Sequence, residues 1–343
     1  MYTFFDKGGE KLTLRPEGTA SVIRFFNEHK LFGIDRFFKF YYIGPMFRYE
    51  RPQKGRLRQF NQTGIEILGD KSPVAEIEAL TLIPHILDTV NIKDYELRLN
   101  SLGCDECRKA YREKLILYYK SKLENLCEDC IRRLNTNPLR LVDCKVDGCK
   151  ELAKSAPLVL DFLCTECAEH FKILKKLLTH LNIRFVEDPL IVRGLDYYNK
   201  TVFEVHAKGL GAQSAVMAGG RYDTLSLQLS GYDIPAVGWA MGMERLISLL
   251  NSNFFADEGV DVFVIFIGKD AEEEGLSIVH ALRCGGVKTE FDIFKGSIKS
   301  QFRRADKLSV KWTIVIGEDE LKTGLYQLKN MKSGEQRAVK REE

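Results

Sequence analysis

The sequence predicts an α+β fold: a mixed, mainly antiparallel sheet with long helices packed against it. Three observations carry that expectation. Strand-like and helix-like runs alternate over residues 1–103 and again over about 183–250. Two neighbouring runs, Lys39–Tyr49 and Gln59–Leu68, show period-two polarity around a basic loop, as in an antiparallel hairpin. Runs of strands with long helices packed on one side favour such a mixed, mainly antiparallel sheet.

Taken in order, strands are expected at Lys11–Leu14, Lys39–Tyr49, Gln59–Leu68 and Tyr95–Leu99, with helices near Thr19–Glu28 and Val74–Val90. Residues 104–182 then interrupt this first domain (1–103). They read as a helical, cysteine-rich insertion, with helical periodicity at Tyr111–Leu126, Asp129–Leu134, Pro157–Leu163 and Ala168–Leu181. The first domain resumes over 183–250, with strands at Val202–Val205, Ser214–Ala218 and Ala236–Gly238 and a helix at Met243–Leu250. Residues 258–343 alternate strand and helix: Val260–Gly268, Glu272–Cys284, Lys288–Phe291, the basic helix Ser297–Lys307, and Trp312–Ile316. That alternation predicts a small α/β domain with a partly parallel sheet.

Composition bounds the function only loosely. The chain has 343 residues, 45% hydrophobic, with a net charge of +3, so nucleic-acid contact must come from local patches. No apolar run reaches the ~20 residues a membrane span needs, and Met1-Tyr-Thr-Phe-Phe-Asp lacks the basic start and apolar stretch of a signal peptide. A cytoplasmic location is expected.

Eight of nine cysteines fall in one window as four pairs: Cys104 and Cys107, Cys127 and Cys130, Cys144 and Cys149, Cys164 and Cys167. Spacings of two to four residues let both thiolates of a pair reach one ion, and tetrahedral zinc takes four such ligands. Structural zinc, as two four-cysteine sites or one, is favoured over reduced cysteines on helix faces. His170, close to the last pair, is not needed as a ligand. Cys284 stands alone and is expected to pack.

The hairpin carries the chemistry. Tyr42, Gly44, Met46 and Arg48 share one face of the outgoing strand, and Phe60, Gln62, Gly64 and Glu66 share one face of the return. Ile65 and Ile67 point the other way. An arginine, an aromatic, an amide and a carboxylate thus converge beside two glycines that leave room for a ligand. The loop between holds Arg51, Lys54, Arg56 and Arg58, suited to a polyanion. Glu66, on an interior strand between two isoleucines, needs a partner that either a ligand or a neighbouring arginine would supply.

This segment resembles motif 2 of class II aminoacyl-tRNA synthetases, in the form found in the histidyl-tRNA synthetase family. Three further blocks agree in order: Leu14-Arg-Pro-Glu-Gly-Thr-Ala20, Arg193-Gly-Leu-Asp-Tyr-Tyr-Asn199 and Gly238-Trp-Ala-Met-Gly-Met-Glu-Arg245. The resemblance implies the class II catalytic fold, an insertion approaching the tRNA acceptor arm, and a C-terminal anticodon-binding domain over 258–343. It implies activation of histidine with ATP and Mg²⁺, then transfer to tRNA(His). Arg48 is expected to bridge the α-phosphate and the substrate carboxylate, Arg193 to support the α-phosphate, Arg245 to meet the γ-phosphate, and Phe60 to stack on adenine. Arginine suits these roles because its planar fork grips carboxylate and phosphate bidentately. Glu66 and Tyr198 are expected to select the imidazole, with Glu17, Thr19 and Gln62 on the α-amino group and Tyr197 lining the pocket. The block Gly219-Gly220-Arg221-Tyr222-Asp223 is expected to form the pocket floor, and Arg303, Arg304, Lys307 and Lys311 to meet anticodon phosphates.

The family's upstream motif 1 segment, which builds its homodimer, has no counterpart before Met1, and the C-terminus is expected to stop short of a last helix. A homodimer is expected of the full-length form. The alternative reading is a non-catalytic, histidine-sensing regulatory subunit of ATP phosphoribosyltransferase. Such paralogues tend to lose the signature arginine and the anticodon-binding domain, and Arg48, Arg193 and residues 260–316 are all present here.

Overall fold

A computed structural model of the chain describes residues 1–50, 55–210, 215–251, 254, 259–294 and 296–341. Two compact units divide it, Met1–Asn251 and Ser252–Glu343. In the first, a short hairpin of β1 (Thr3–Phe5) and β2 (Lys11–Thr13) precedes α1 (Thr19–Glu28). Strands β3 (Phe38–Phe47) and β4 (Gln59–Leu68) follow, then α2 (Pro73–Thr89) and β5 (Tyr95–Ser101). The cysteine-rich stretch contributes α3 (Asp105–Lys120), α4 (Glu128–Thr136), α5 (Asp147–Lys154) and α6 (Thr165–His180). The chain returns through β6 (Val186–Glu187), β7 (Asn199–Ala207), β8 (Ala215–Arg221), α7 (Leu225–Ser230), β9 (Ala236–Gly242) and α8 (Met243–Ile247).

The main sheet has the order β3-β4-β9-β8-β7-β5-β6. Every pairing is antiparallel except β5 with β6. One face is apolar: Ile67, Leu97, Leu99, Phe203, Val205, Val237, Trp239 and Met241 pack with residues of α2 and α6. Helix α2 starts cleanly there because Ser72 accepts from the Val74 amide at 3.3 Å and Pro73 needs no partner for its nitrogen. The opposite face is the polar one. Register sets Glu66 opposite Gly238, Gly64 opposite Ala240, Ala240 opposite Ala218, and Gly238 opposite Gly220. The middle of that face is therefore paved with small residues, leaving a trough.

The second unit holds β10 (Val262–Phe266), α9 (Ala271–Cys284), β11 (Thr289–Phe291), α10 (Ile298–Lys307) and β12 (Trp312–Ile316). It continues with α11 (Glu318–Thr323), β13 (Tyr326–Asn330) and β14 (Gln336–Val339). Its sheet has the order β11-β10-β12-β13-β14, parallel around β10 and antiparallel beyond β12. The mainly antiparallel α+β architecture and the partly parallel second sheet are as predicted.

Several local expectations need correction. Pro157–Leu163 is not a helix but a single 3₁₀ turn, Val159–Phe162, because Leu158 before it and Leu163 after it are extended. Helix α3 begins at Asp105, six residues earlier than periodicity suggested, with Cys104 at its N-cap. Helix α5 and the final hairpin β13–β14, both rich in polar residues, escaped the apolar pattern. Cys284 ends α9 exposed rather than packed. Ser214, at the start of a predicted strand, lies outside the described residues.

Candidate functional site

The polar face of β3 and β4 is assembled as the alternation required. Tyr42 pairs with Gly64, Gly44 with Gln62 and Met46 with Phe60, so their side chains stand on one side. The glycines, however, make room for protein. A Cβ on Gly64 or on Gly18 would strike the Tyr42 ring, and one on Gly44 would strike the Arg15 guanidinium. Tyr42 is thus clamped between α1's entry and β4. Gly238 likewise makes space for the Glu66 carboxyl, while Gly219 and Gly220 allow close backbone approach of β8 to β9 and β7.

Glu66 is fully buried. Thr19 Oγ1 donates to Oε1 at 2.7 Å, and the Tyr222 hydroxyl donates to Oε2. Both donors are neutral. Burial therefore dominates and pushes the carboxyl up to about 8, although the two hydrogen bonds oppose it. No cation among the described residues pairs with Glu66, so the neighbouring arginine that would give it a purely structural role is not found there.

Glu17 caps the start of α1: its Oε2 accepts from the Thr19 amide at 2.6 Å and from the Tyr197 hydroxyl at 3.4 Å. Tyr197 and Tyr198 stack at 4.8 Å between ring centres, and both lie against Tyr222. Thr19, Glu17, Glu66, Tyr197, Tyr198 and Tyr222 thus form one cluster. Gln62 is buried two residues along the same face from Gly64. Three buried polar atoms here lack a hydrogen-bond partner: Tyr42 OH, Gln62 Oε1 and Arg193 Nε. Orphaned polar groups are rare in native interiors, so their concentration at one trough marks a place where a polar ligand completes the bonding.

The arginines stand around the same trough. Arg48 Nε donates to the Pro16 carbonyl at 2.8 Å, and its guanidinium sits 4.9 Å from the Phe60 ring centre. Arg193 Nη1 meets Glu204 Oε1 at 2.7 Å, and its guanidinium lies over Tyr198 at 5.4 Å. Arg245 donates to the carbonyls of Gly55 (2.8 Å) and Ala215 (2.7 Å), tying α8 to the hairpin loop and to β8. The pKa of Arg48 is depressed, chiefly by burial and also by the charge of Arg193; Glu50 and Glu17 offset part of this. Arg245 is depressed too, by burial first and then by Arg56 and Arg48. Clustered cations that weaken one another favour an anion between them. In the basic loop, Arg56 pairs with Glu50 at 3.3 Å and Arg58 stacks on Tyr49; Arg51 and Lys54 lie outside the described residues.

Pattern reading missed several participants. Glu204 bridges Arg193 and His206. Glu244 accepts from the Asn61 amide at 2.8 Å. Behind the sheet, Glu76 is fully buried and accepts from Arg221, from His170 at 2.5 Å and from Thr201 at 3.1 Å. The one local signal for that second cluster is that Arg221, the last residue of β8, and Tyr222 beyond it serve opposite sides of the sheet.

The cysteines resolve into two groups, Cys104, Cys107, Cys164 and Cys167, and Cys127, Cys130, Cys144 and Cys149. Within each, all sulfurs lie within 4.8 Å of one another. Observed Sγ separations of 3.5, 4.0 and 3.8 Å match the about 3.8 Å edge of a tetrahedron with ~2.3 Å Zn–S bonds. Backbone amides of Cys164 and Cys127 donate to the sulfurs of Cys107 (3.1 Å) and Cys149 (3.2 Å), as thiolates prefer. The donor sets therefore fit a thiophilic metal. His170 is committed to Glu76 and stays outside both groups. In the second unit, two of the expected phosphate contacts are engaged: Arg304 with Asp292 at 3.3 Å and Lys311 with Asp261 at 2.6 Å.

Comparison with known proteins agrees with this geometry. A family profile described as histidyl-tRNA synthetase matches residues 1–246, and one for an anticodon-binding domain matches 261–343. A histidine–tRNA ligase of Thermodesulfovibrio yellowstonii is 49% identical over 98% of this chain and 80% of its own length. One from Trichlorobacter lovleyi is 48% identical over 99% and 81%. The solved structure of apo S. aureus histidyl-tRNA synthetase superposes with a TM-score of 0.80 at 36% identity, covering 99% of this chain and 84% of that one. A Bacillus halodurans structure named as an ATP phosphoribosyltransferase regulatory subunit/histidyl-tRNA synthetase shares the fold at 19% identity and a TM-score of 0.64, over 92% of this chain and 83% of its own.

Proposed function

The chain belongs to the histidyl-tRNA synthetase family, and from that premise we propose how its residues carry out the reaction. It activates histidine with ATP and transfers the histidyl group to tRNA. The observation that carries the residue roles is the trough itself: a buried carboxyl with no cation partner among the described residues at one end, arginines around it, and unpaired polar atoms between.

Glu66 receives an imidazole N–H of the substrate, with Tyr198 beside it. Glu17, Thr19 and Gln62 hold the α-amino group, and Tyr197 walls the pocket. Attack of the histidine carboxylate on the α-phosphate brings two anions together, so the barrier is lowered by cations placed in advance. Arg48 joins the two anions, Arg193 steadies the α-phosphate, and Arg245 holds the γ-phosphate. Phe60, already stacked on Arg48, offers its ring to adenine. Mg²⁺ accompanies ATP, held mainly by phosphates.

We further assign residues 1–103 and 183–250 to catalysis, 104–182 to an insertion facing the tRNA acceptor arm, and 258–343 to anticodon binding. The two cysteine groups hold structural Zn²⁺. A homodimer is supported by large apolar side chains left exposed on the β1–β2 hairpin and the β3 edge, among them Phe5, Tyr41 and Ile43. No helix among the described residues is long and apolar enough to cross a membrane, and the family reading assigns a cytoplasmic location. The histidine-sensing alternative is not favoured, because ligases match at 46–49% identity across nearly the whole chain.

Histidine-dependent ATP–pyrophosphate exchange tests this reading. Exchange by the parent, lost in Arg193→Ala while histidine binding persists, is the expected result. Normal turnover in Arg193→Ala would remove its assigned role.

A further inference from the structure

The cysteine group formed by residues 104, 107, 164 and 167 joins the point where the insertion leaves the sheet to the start of α6, the helix that leads the chain back to it. Leu102 N donates to Lys200 O at 2.7 Å and Lys200 N to Gly103 O at 2.8 Å, so the first cysteine follows directly on a ladder with β7. From the start of α6, Glu166 pairs with the Lys200 ammonium at 2.9 Å. The segment Arg193–Tyr198 runs into that same ladder. Most of it is loop, with Gly194, Leu195 and Asp196 exposed. Yet it carries Arg193, Tyr197 and Tyr198, whose placement decides the reaction geometry.

One side chain ties this loop to the cysteine group. Arg108, adjacent to Cys107 on α3, donates through Nη1 to the carbonyls of Tyr198 (2.8 Å) and Asp196 (3.4 Å). Its Nη2 is fixed by Asp105 in the first turn of the same helix. It lines a cleft of about 330 Å³ whose other walls include Asn137, Val192, Arg193 and Tyr198. A planar fork anchored at both ends holds direction as well as distance. Nothing in the adenylation chemistry requires Arg108 to touch a substrate.

We propose that Arg108 is a positioning residue, which passes the rigidity of this cysteine group to the loop bearing Arg193, Tyr197 and Tyr198. This rests on the function proposed above. Displacing a site by about 1 Å costs on the order of 100-fold in rate, so a loosened loop acts on turnover more than on nucleotide affinity.

The test compares the parent chain with Arg108→Met, which keeps the stem, and Arg108→Lys, which keeps a charged donor. Arg108→Met is expected to lower kcat of pyrophosphate exchange by at least about ten-fold with the KM for ATP changed less than about three-fold. Arg108→Lys should recover most of that loss. Amide hydrogen exchange over 194–199 should speed up in Arg108→Met, with β4 protection and bound metal at the parent's level. Parent-like kcat and parent-like protection in Arg108→Met would overturn the proposal, as would equal loss of protection across β4. If Arg108→Met does not fold, Arg108→Gln provides the same comparison. If the parent itself does not exchange pyrophosphate, the proposed function fails, and amide protection still decides Arg108.

Discussion

Two glutamates ten residues apart, Glu66 and Glu76, are both fully buried, on opposite faces of one sheet, and they reach opposite ionisation. Among the described residues Glu66 bonds to the hydroxyls of Thr19 and Tyr222, and burial lifts it to about 8. For Glu76, burial also acts upward, but His170 and Arg221 overcome it and bring the carboxyl down to about 2. Consecutive residues of one chain segment, Arg221 and Tyr222, supply one partner to each. A buried carboxylate satisfied by an internal cation is structure. A buried carboxyl left with neutral donors stays available to an outside N–H, and on the function proposed above that makes Glu66 the substrate end of the trough.

The largest expected effect comes from breaking the satisfied side. Arg221→Met leaves Glu76 without its main cation and should cost about 3–5 kcal/mol in denaturant unfolding at pH 7. A loss below ~1 kcal/mol would mean that His170 alone suffices and would break the contrast. Next, Glu66→Gln should weaken histidine binding by roughly 10–100-fold in calorimetry, with ATP affinity unchanged. Equal loss for both ligands would point to a disrupted fold instead.

Proton linkage separates the two groups by sign. Glu66 has a native pKa of about 8, above the ~4.3 of an unfolded glutamate. Between those values the native state holds the extra proton, so empty-protein stability falls as pH rises, by at most ~1.4 kcal/mol per pH unit. Glu66→Gln should flatten that slope between pH 6 and 8. Glu76 behaves conversely: its contribution is fully present above the unfolded value and is lost as pH falls toward about 2. Unfolding free energies measured from pH 3 to 8 check both. The smallest effect is expected from Tyr222→Phe, which removes one of the two neutral donors and should weaken histidine binding by roughly 3–10-fold.

The sequence disclosed the two groups unequally. Period-two alternation in Gln59–Leu68 put Glu66 on the ligand face, and the strand bounds predicted there are the observed ones. Glu76 sits inside an ordinary amphipathic helix, with partners 94 and 145 residues away, so no local pattern announced it. The cysteines were legible because ligand spacing is local, whereas the division into two groups depends on tertiary pairing of residues 104 and 164. The glycines were misread for the same reason. Alternation shows that Gly64 faces the trough, and only packing shows that Tyr42 occupies the space above it.

The order of strands also sets a timetable. Strand β4 gains β3 at once, but its other neighbour, β9, starts at Ala236. On a ribosome adding 5–20 residues per second, that is roughly 170 residues and on the order of ten to thirty seconds later. During that interval the edge carrying Glu66 is an open template for any passing strand. The insertion emerges within the same interval, but its apolar core is shared with Val202, Tyr222 and Ala236, so it too waits for the returning strands.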